Sequence, residues 1–133
     1  MSRRIPLSLP DITQLEVDAV VDVLRSGRFG DESIIQQFEH ACARRTGRRE
    51  AVAVASGTSA LHCCLVACGV GPEDEVITTP FAPPAATLAI MQTGARPVFV
   101  DVDTKTMSMD RTMLESAITP RTRLLMFSSP CNP

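Results

Sequence analysis

Five consecutive small apolar residues, Ala51, Val52, Ala53, Val54 and Ala55, end at Ser56 and Gly57, and the residues that follow, Thr58 to Gly69, carry helical spacing. A run this short and this apolar reads as a strand buried on both faces. A strand that turns through a glycine straight into a helix belongs to an α/β arrangement. The alternation then repeats. Glu75 to Thr78 reads as a second strand, a helix follows Pro83 and Pro84, Pro97 to Val100 reads as a third strand, Asp110 to Ile118 as a helix, and Arg123 to Phe127 as a fourth strand. Parallel neighbours need crossover helices, so this order predicts an α/β fold: a partial three-layer sandwich with a mainly parallel or mixed sheet covered by helices on both faces.

Two helices precede the first strand. Thr13 with Glu16 three residues later forms a capping box, and Leu15, Ala19, Val20, Val23 and Leu24 recur at helical spacing up to a closing Gly27. A second amphipathic segment carries Ile34, Ile35, Phe38, Ala41 and Cys42 on one side and stops at Gly47. Asp31 and Glu32 are favourable charges at its start, and Arg45, Arg48 and Arg49 beside Glu50 read as a solvated helix terminus.

A chain of 133 residues, 44% apolar and 21% charged, has material for one modest core, so residues 1–133 are read as a single partial domain. A net charge of −2 gives no field that would recruit nucleic acid or an anionic membrane. No apolar run approaches the roughly 20 residues that span a bilayer, and the start leads into no signal-type stretch, so the expected address is cytoplasmic. The five cysteines lack paired zinc-site spacing and read as reduced, with Cys64 and Cys68 as small apolar core residues rather than metal ligands.

Ser56, Gly57, Thr58, Ser59 and Ala60 stand between the first strand and a helix start. Backbone N–H groups there face outward unpaired, the hydroxyls of Thr58 and Ser59 add donors, and the helix dipole favours an anion. Two readings stand at this stage: a phosphate cup, and routine capping of a helix by Ser or Thr. The segment matches neither the dinucleotide glycine fingerprint nor the lysine-containing phosphate loop of NTPases.

Several motifs in order narrow the choice. Ala51 to Leu61 (AVAVASGTSAL), Gly69 to Thr78 (GVGPEDEVIT) and Thr93 to Asp103 (TGARPVFVDVD) resemble the DegT and StrS-type sugar aminotransferases, pyridoxal-phosphate (PLP) enzymes of fold type I. The likeness runs from Ile5 (IPLSLPDIT) to Pro120. It implies that Gly57, Thr58 and Ser59 hold the PLP phosphate. It further implies an amino donor and a keto group of a nucleotide-linked sugar as substrates, and a homodimer. The family's ring-stacking aromatic falls at Pro83, with Phe81 two residues earlier, so either Phe81 or Pro83 covers the cofactor ring, or Phe81 packs on the sheet end. The tail Ser129, Pro130, Cys131, Asn132, Pro133 is similar instead to class I and II aminotransferases, whose matching asparagine contacts the PLP phenolic oxygen. Asn132 between prolines is equally good turn chemistry.

The single lysine, Lys105, lies in the polar loop Asp103, Thr104, Lys105, Thr106 and does not match the family's Schiff-base lysine. That lysine and the aspartate that pairs with the pyridine nitrogen are implied to belong to a later segment. The sequence thus reads as an amino-terminal part of such an enzyme, inactive alone. A sugar dehydratase of the same family, a non-catalytic phosphate-binding or interaction module, and a truncated remnant are the alternatives. Asp101 and Asp103 read as organisers of a loop, and His40 and His62 as helix residues without a catalytic role.

Overall fold

The computed structural model describes residues 9–30 and 32–127. The chain divides into two compact units, Met1–Ala53 and Val54–Pro133.

In the first unit, α1 (Gln14–Ser26) starts at the predicted capping box: the Thr13 N–H donates to Glu16 Oε2 at 2.6 Å, and Thr13 Oγ1 accepts from the Leu15 N–H at 3.3 Å. These bonds hold the Glu16 carboxyl below its ordinary pKa, the Thr13 side-chain bond first among them. Gly27, in the left-handed region at φ 67°, closes the helix, its N–H donating to the Leu24 carbonyl. α2 (Glu32–Thr46) begins with Glu32 in its first turn and carries Arg44 and Arg45 in its last, charges that complement the two ends of the helix dipole. Arg49 and Glu50 beyond it are exposed and meet at 3.8 Å, as a solvated terminus should. Ala43 is the only buried residue of the two helices.

The predicted strand Ala51–Ala55 is not a strand here. These residues join no sheet among the described residues, and Val52 is 80% exposed where burial on both faces was expected. The Ala53 N–H donates instead to Glu39 Oε1 at 2.8 Å. An apolar run becomes a buried strand only when neighbours offer a ladder on either side, and no described strand does so for this one.

The second unit contains α3 (Gly57–Ala67), β1 (Glu75–Thr78), α4 (Pro84–Gln92), β2 (Arg96–Phe99), α5 (Arg111–Ala117) and β3 (Thr122–Leu125). The sheet is three-stranded, not four, in the order β2-β1-β3, and both pairings are parallel. Val76 aligns with Pro97 on one side and Leu124 on the other, which puts all three on one face. On that face Leu65 of α3 and Ala89 and Ile90 of α4 pack with Val70, Val76 and Ala95, bordered by Leu61, Leu124 and Met126. β1 is buried along its whole length, as befits the central strand. Gly94, at φ 84°, makes the α4–β2 turn, and a Cβ there would come within 3.0 Å of Pro72 Cγ, so both backbone and space select glycine.

Cys64 and Cys68 are exposed free thiols rather than core residues, because the buried stripe of α3 runs through Leu65 and the half-buried Leu61. Among the described residues no cluster of His, Cys, Asp and Glu could hold a metal, and no helix is long and apolar enough to cross a membrane.

Candidate functional site

Ser56 is the N-cap of α3, extended at φ −160° and ψ 162°, with its hydroxyl accepting from the Ser59 N–H at 3.1 Å. The two serine hydroxyls lie 3.0 Å apart. The Ala60 N–H closes the first helical turn on the Ser56 carbonyl at 3.0 Å. The cap therefore occupies the Ser59 N–H. Among the described residues the N–H groups of Gly57 and Thr58 and the Thr58 hydroxyl have no hydrogen-bond partner. Gly57 is exposed, has no left-handed φ, and a Cβ there would meet nothing within 4 Å. Neither the backbone nor the packing of this chain requires glycine at position 57. Gly57 at the helix start is exposed, and the two unpartnered N–H groups suit a phosphate at the positive end of an 11-residue helix. The residues present thus fit the phosphate of PLP.

Phe81 lies in the loop between β1 and α4, 53% exposed, its N–H tied to Thr79 Oγ1 at 3.2 Å. Pro83 is the N-cap residue of α4 and is also exposed. Both sit beyond the carboxyl end of β1, the end at which parallel α/β sheets build their binding crevices. α3 and α4 pack against each other, and no hydrogen bond links Phe81 or Pro83 to Gly57, Thr58 or Ser59 among the described residues. Asn132 and Cys131 lie outside the described residues.

Asp103 organises its loop as expected. Its Oδ1 accepts from the N–H groups of Lys105 at 2.9 Å and Thr106 at 2.8 Å, and these bonds, the Thr106 one first, lower the carboxyl pKa, with Arg111 assisting from a distance. Asp101 accepts from the Val102 N–H, and its carbonyl from Asp110. Lys105 is exposed in this turn and forms no ion pair among the described residues. His40 is exposed on α2 and His62 half-buried on α3.

Sequence reasoning passed over Glu75. Its side chain is 2% exposed, accepting from Thr119 Oγ1 at 2.7 Å and Arg121 Nη2 at 2.8 Å, with Arg96 Nε at 3.8 Å. The Thr119 hydrogen bond, then the Arg121 charge and bond and the Arg96 charge, hold its carboxyl below the ordinary value against the opposing effect of burial. Glu75 joins the amino ends of all three strands, the opposite end of β1 from Phe81. It is a staple of the sheet rather than a binding group. Its partners are 44 and 46 residues away along the chain, so local pattern holds no signal for it.

Comparison with known proteins places the chain in a family. The family model for the DegT/DnrJ/EryC1/StrS aminotransferase family matches residues 10–129. The spore coat polysaccharide biosynthesis protein SpsC of Bacillus subtilis (strain 168) is 43% identical over 122 residues, covering 92% of this chain and 31% of its own. The UDP-4-amino-4-deoxy-L-arabinose–oxoglutarate aminotransferase of Shewanella sediminis (strain HAW-EB3) is 38% identical with the same coverage of 92% and 31%. The PLP form of Spr1654 from Streptococcus pneumoniae superposes with a TM-score of 0.83 at 38% identity, over 92% of this chain and 31% of that one. The fold is that of fold type I PLP aminotransferases, and the chain spans about a third of the length of these relatives. On the match to residues 10–129, the chain belongs to the DegT/DnrJ/EryC1/StrS aminotransferase family.

Proposed function

We propose that residues 1–133 form the part of a PLP-dependent sugar aminotransferase domain that receives the cofactor's phosphate. The N–H groups of Gly57 and Thr58 and the hydroxyls of Thr58 and Ser59 hold that phosphate at the start of α3. Phe81 forms the wall of the ring pocket, and Asn132, by its likeness to the class I and II aminotransferases, is the candidate contact of the ring's phenolic oxygen. When bound, the cofactor supplies the electron sink for amino-group exchange. The observation that carries this reading is the pair of unpartnered N–H groups at Gly57 and Thr58 at the start of α3. A phosphate in that place gains hydrogen bonds and the field of the helix dipole.

The substrates of the whole enzyme are an amino donor and a keto group on a nucleotide-linked sugar, as the name of the Shewanella sediminis relative suggests for that protein. The working assembly is a cytoplasmic homodimer. The 133-residue chain by itself does not transaminate, because its one lysine, Lys105, is exposed in the Asp103 turn and does not match the family's Schiff-base lysine. No other side chain in the sequence offers a primary amine to carry the cofactor or to move its protons.

Titration of the purified chain with PLP, pyridoxal and inorganic phosphate tests the reading. PLP and phosphate should compete for one site, and pyridoxal should not. Equal binding of PLP and pyridoxal would remove the phosphate cup. Borohydride treatment with PLP should leave no single labelled lysine peptide, and specific labelling of Lys105, or turnover of an amino donor, would overturn the inactive assignment.

A further inference from the structure

We propose that Ser56 is a positioning residue of the phosphate cup: its O–H donates to Ser59 Oγ, which leaves the O–H of Ser59 to point outward as a donor to the cofactor's phosphate. The inference rests on the reading of the α3 start as that cup, and adds to it a residue that itself touches no part of the cofactor.

Ser56 Oγ accepts from the Ser59 N–H at 3.1 Å and lies 3.0 Å from Ser59 Oγ. Neither hydroxyl has another partner among the described residues. One hydroxyl hydrogen therefore lies between the two oxygens, and the other is left over. Were the inner hydrogen that of Ser59, this residue would have no O–H to give a phosphate. With Ser56 as the inner donor, Ser56 both accepts and donates within the cap, and the remaining hydrogen belongs to Ser59.

Two other helix starts of this chain show what each kind of cap does with a neighbouring side chain. At α1 the cap is a hydroxyl: Thr13 Oγ1 accepts from the Leu15 N–H at 3.3 Å and donates to Glu16 Oε2 at 2.6 Å. At α5 the cap is a carboxylate: Asp110 Oδ1 accepts both the N–H of Thr112 at 2.8 Å and its O–H at 2.7 Å. A hydroxyl cap hands a hydrogen forward, whereas a carboxylate cap draws hydrogens in.

The Ser56 cap repeats the α1 arrangement at the same spacing, since Ser59 follows Ser56 as Glu16 follows Thr13. One difference matters for an anion. Glu16 ends the chain of donation because its carboxylate has no hydrogen, but Ser59 has one to pass on. That O–H joins the unpartnered N–H groups of Gly57 and Thr58 and the Thr58 hydroxyl. Accepting a hydrogen bond from Ser56 also polarises the Ser59 hydroxyl and makes it the stronger donor. An aspartate at position 56 would cap α3 equally well, yet it would draw the Ser59 hydrogen inward as Asp110 draws that of Thr112. Capping alone allows either residue; donation to a phosphate selects the serine.

The test is a double-mutant cycle between Ser56→Asp and Ser59→Ala in the 133-residue chain, with inorganic phosphate as the probe and its affinity read from the amide NMR shifts of Gly57 and Thr58. Ser59→Ala alone removes the outward O–H and keeps the capped N–H, so affinity should fall about fivefold. Ser56→Asp lowers affinity through its charge as well, and the cycle cancels that contribution. In the Ser56→Asp background, Ser59→Ala should therefore change affinity by less than about twofold. Ser56→Thr keeps both the cap and the O–H, and in that background the parent's sensitivity to Ser59→Ala should persist. Urea midpoints of the Ser59→Ala and Ser56→Thr variants should stay those of the parent. An equal loss from Ser59→Ala in the parent and in the Ser56→Asp background would reduce Ser56 to a helix cap and overturn the inference. So would a Ser59→Ala variant that binds phosphate as the parent does. In both of those cases the Gly57 and Thr58 response would leave the phosphate-cup reading standing. A parent chain whose Gly57 and Thr58 amides ignore phosphate would overturn that reading and this inference together.

Discussion

Before Val54, two helices of regular geometry bury only Ala43 among their residues; after it, Leu65, Val70, Val76, Ala89, Ile90 and Ala95 close around three parallel strands. Both regions obey the same local rules. α1 has a complete capping box and a left-handed glycine stop, better terminal chemistry than α4, whose N-cap Pro83 makes no side-chain cap bond. Yet Leu15 is 78% exposed and Leu24 59%, while Ile90 of α4 is fully buried. Caps decide where a helix begins and ends. Burial decides how much the rest of the molecule depends on it.

The largest expected effect follows directly. Ile90→Ala removes a fully buried side chain from the second unit and should cost about 2–5 kcal/mol in denaturant unfolding, whereas Leu15→Ala in α1 should stay within about 0.5 kcal/mol. Comparable losses from both would erase the distinction between the regions.

Glu75 sharpens the comparison from the polar side, because among the described residues only the second unit has a buried carboxylate tied across strands. Its folded-state pKa is lowered, so the stability it contributes is present above the ordinary carboxylate pKa and is lost as pH falls through the lowered value. Glu75→Gln should lower the unfolding midpoint at neutral pH by less than the Ile90 variant does. The gap between parent and variant should shrink on acidification, as urea unfolding at several pH values would reveal. A gap that widens in acid would contradict the sign of the shift.

In the first unit the comparable change is small and local. Thr13→Ala removes the cap hydroxyl and should cost about 1 kcal/mol of helix stability, read as faster amide exchange in α1 with little change in the exchange of β1. Spread of the effect into β1 would mean that the two units share one cooperative transition.

Most of the architecture was legible because its signals are local. Thr13 and Glu16 mark α1 within four residues, Glu75–Thr78 is a strand with the predicted bounds, and β2, α5 and β3 lie within a residue or two of expectation. The exceptions share a cause. Ala51–Ala55 has strand composition, but a strand requires a partner ladder, and its own residues say nothing of whether one is present. Glu75 looked like one more strand residue because Thr119 and Arg121 are remote in sequence. Cys64 and Cys68 are exposed because the second unit buries only the Leu61 and Leu65 side of α3. At the candidate site, the serine cap and the open donors were readable from Ser56 to Ser59. The division of labour was not: the cap takes the Ser59 N–H and leaves those of Gly57 and Thr58.

The smallest effect on stability should accompany a large effect on binding. Gly57→Asp places a carboxylate where the helix dipole favours one, so the fold should gain about 0.3–1 kcal/mol while the same charge repels a phosphate. PLP affinity should fall by about tenfold or more. Loss of both stability and binding would mean that Gly57 serves the fold.

The most direct measurement is an amide NMR titration of the 133-residue chain with PLP, inorganic phosphate and pyridoxal in parallel. PLP and phosphate should shift the Gly57 and Thr58 resonances, the two N–H groups without a partner, while pyridoxal leaves them in place. Shifts confined to other residues, or the same Gly57 and Thr58 response to pyridoxal as to PLP, would contradict a phosphate cup at the start of α3.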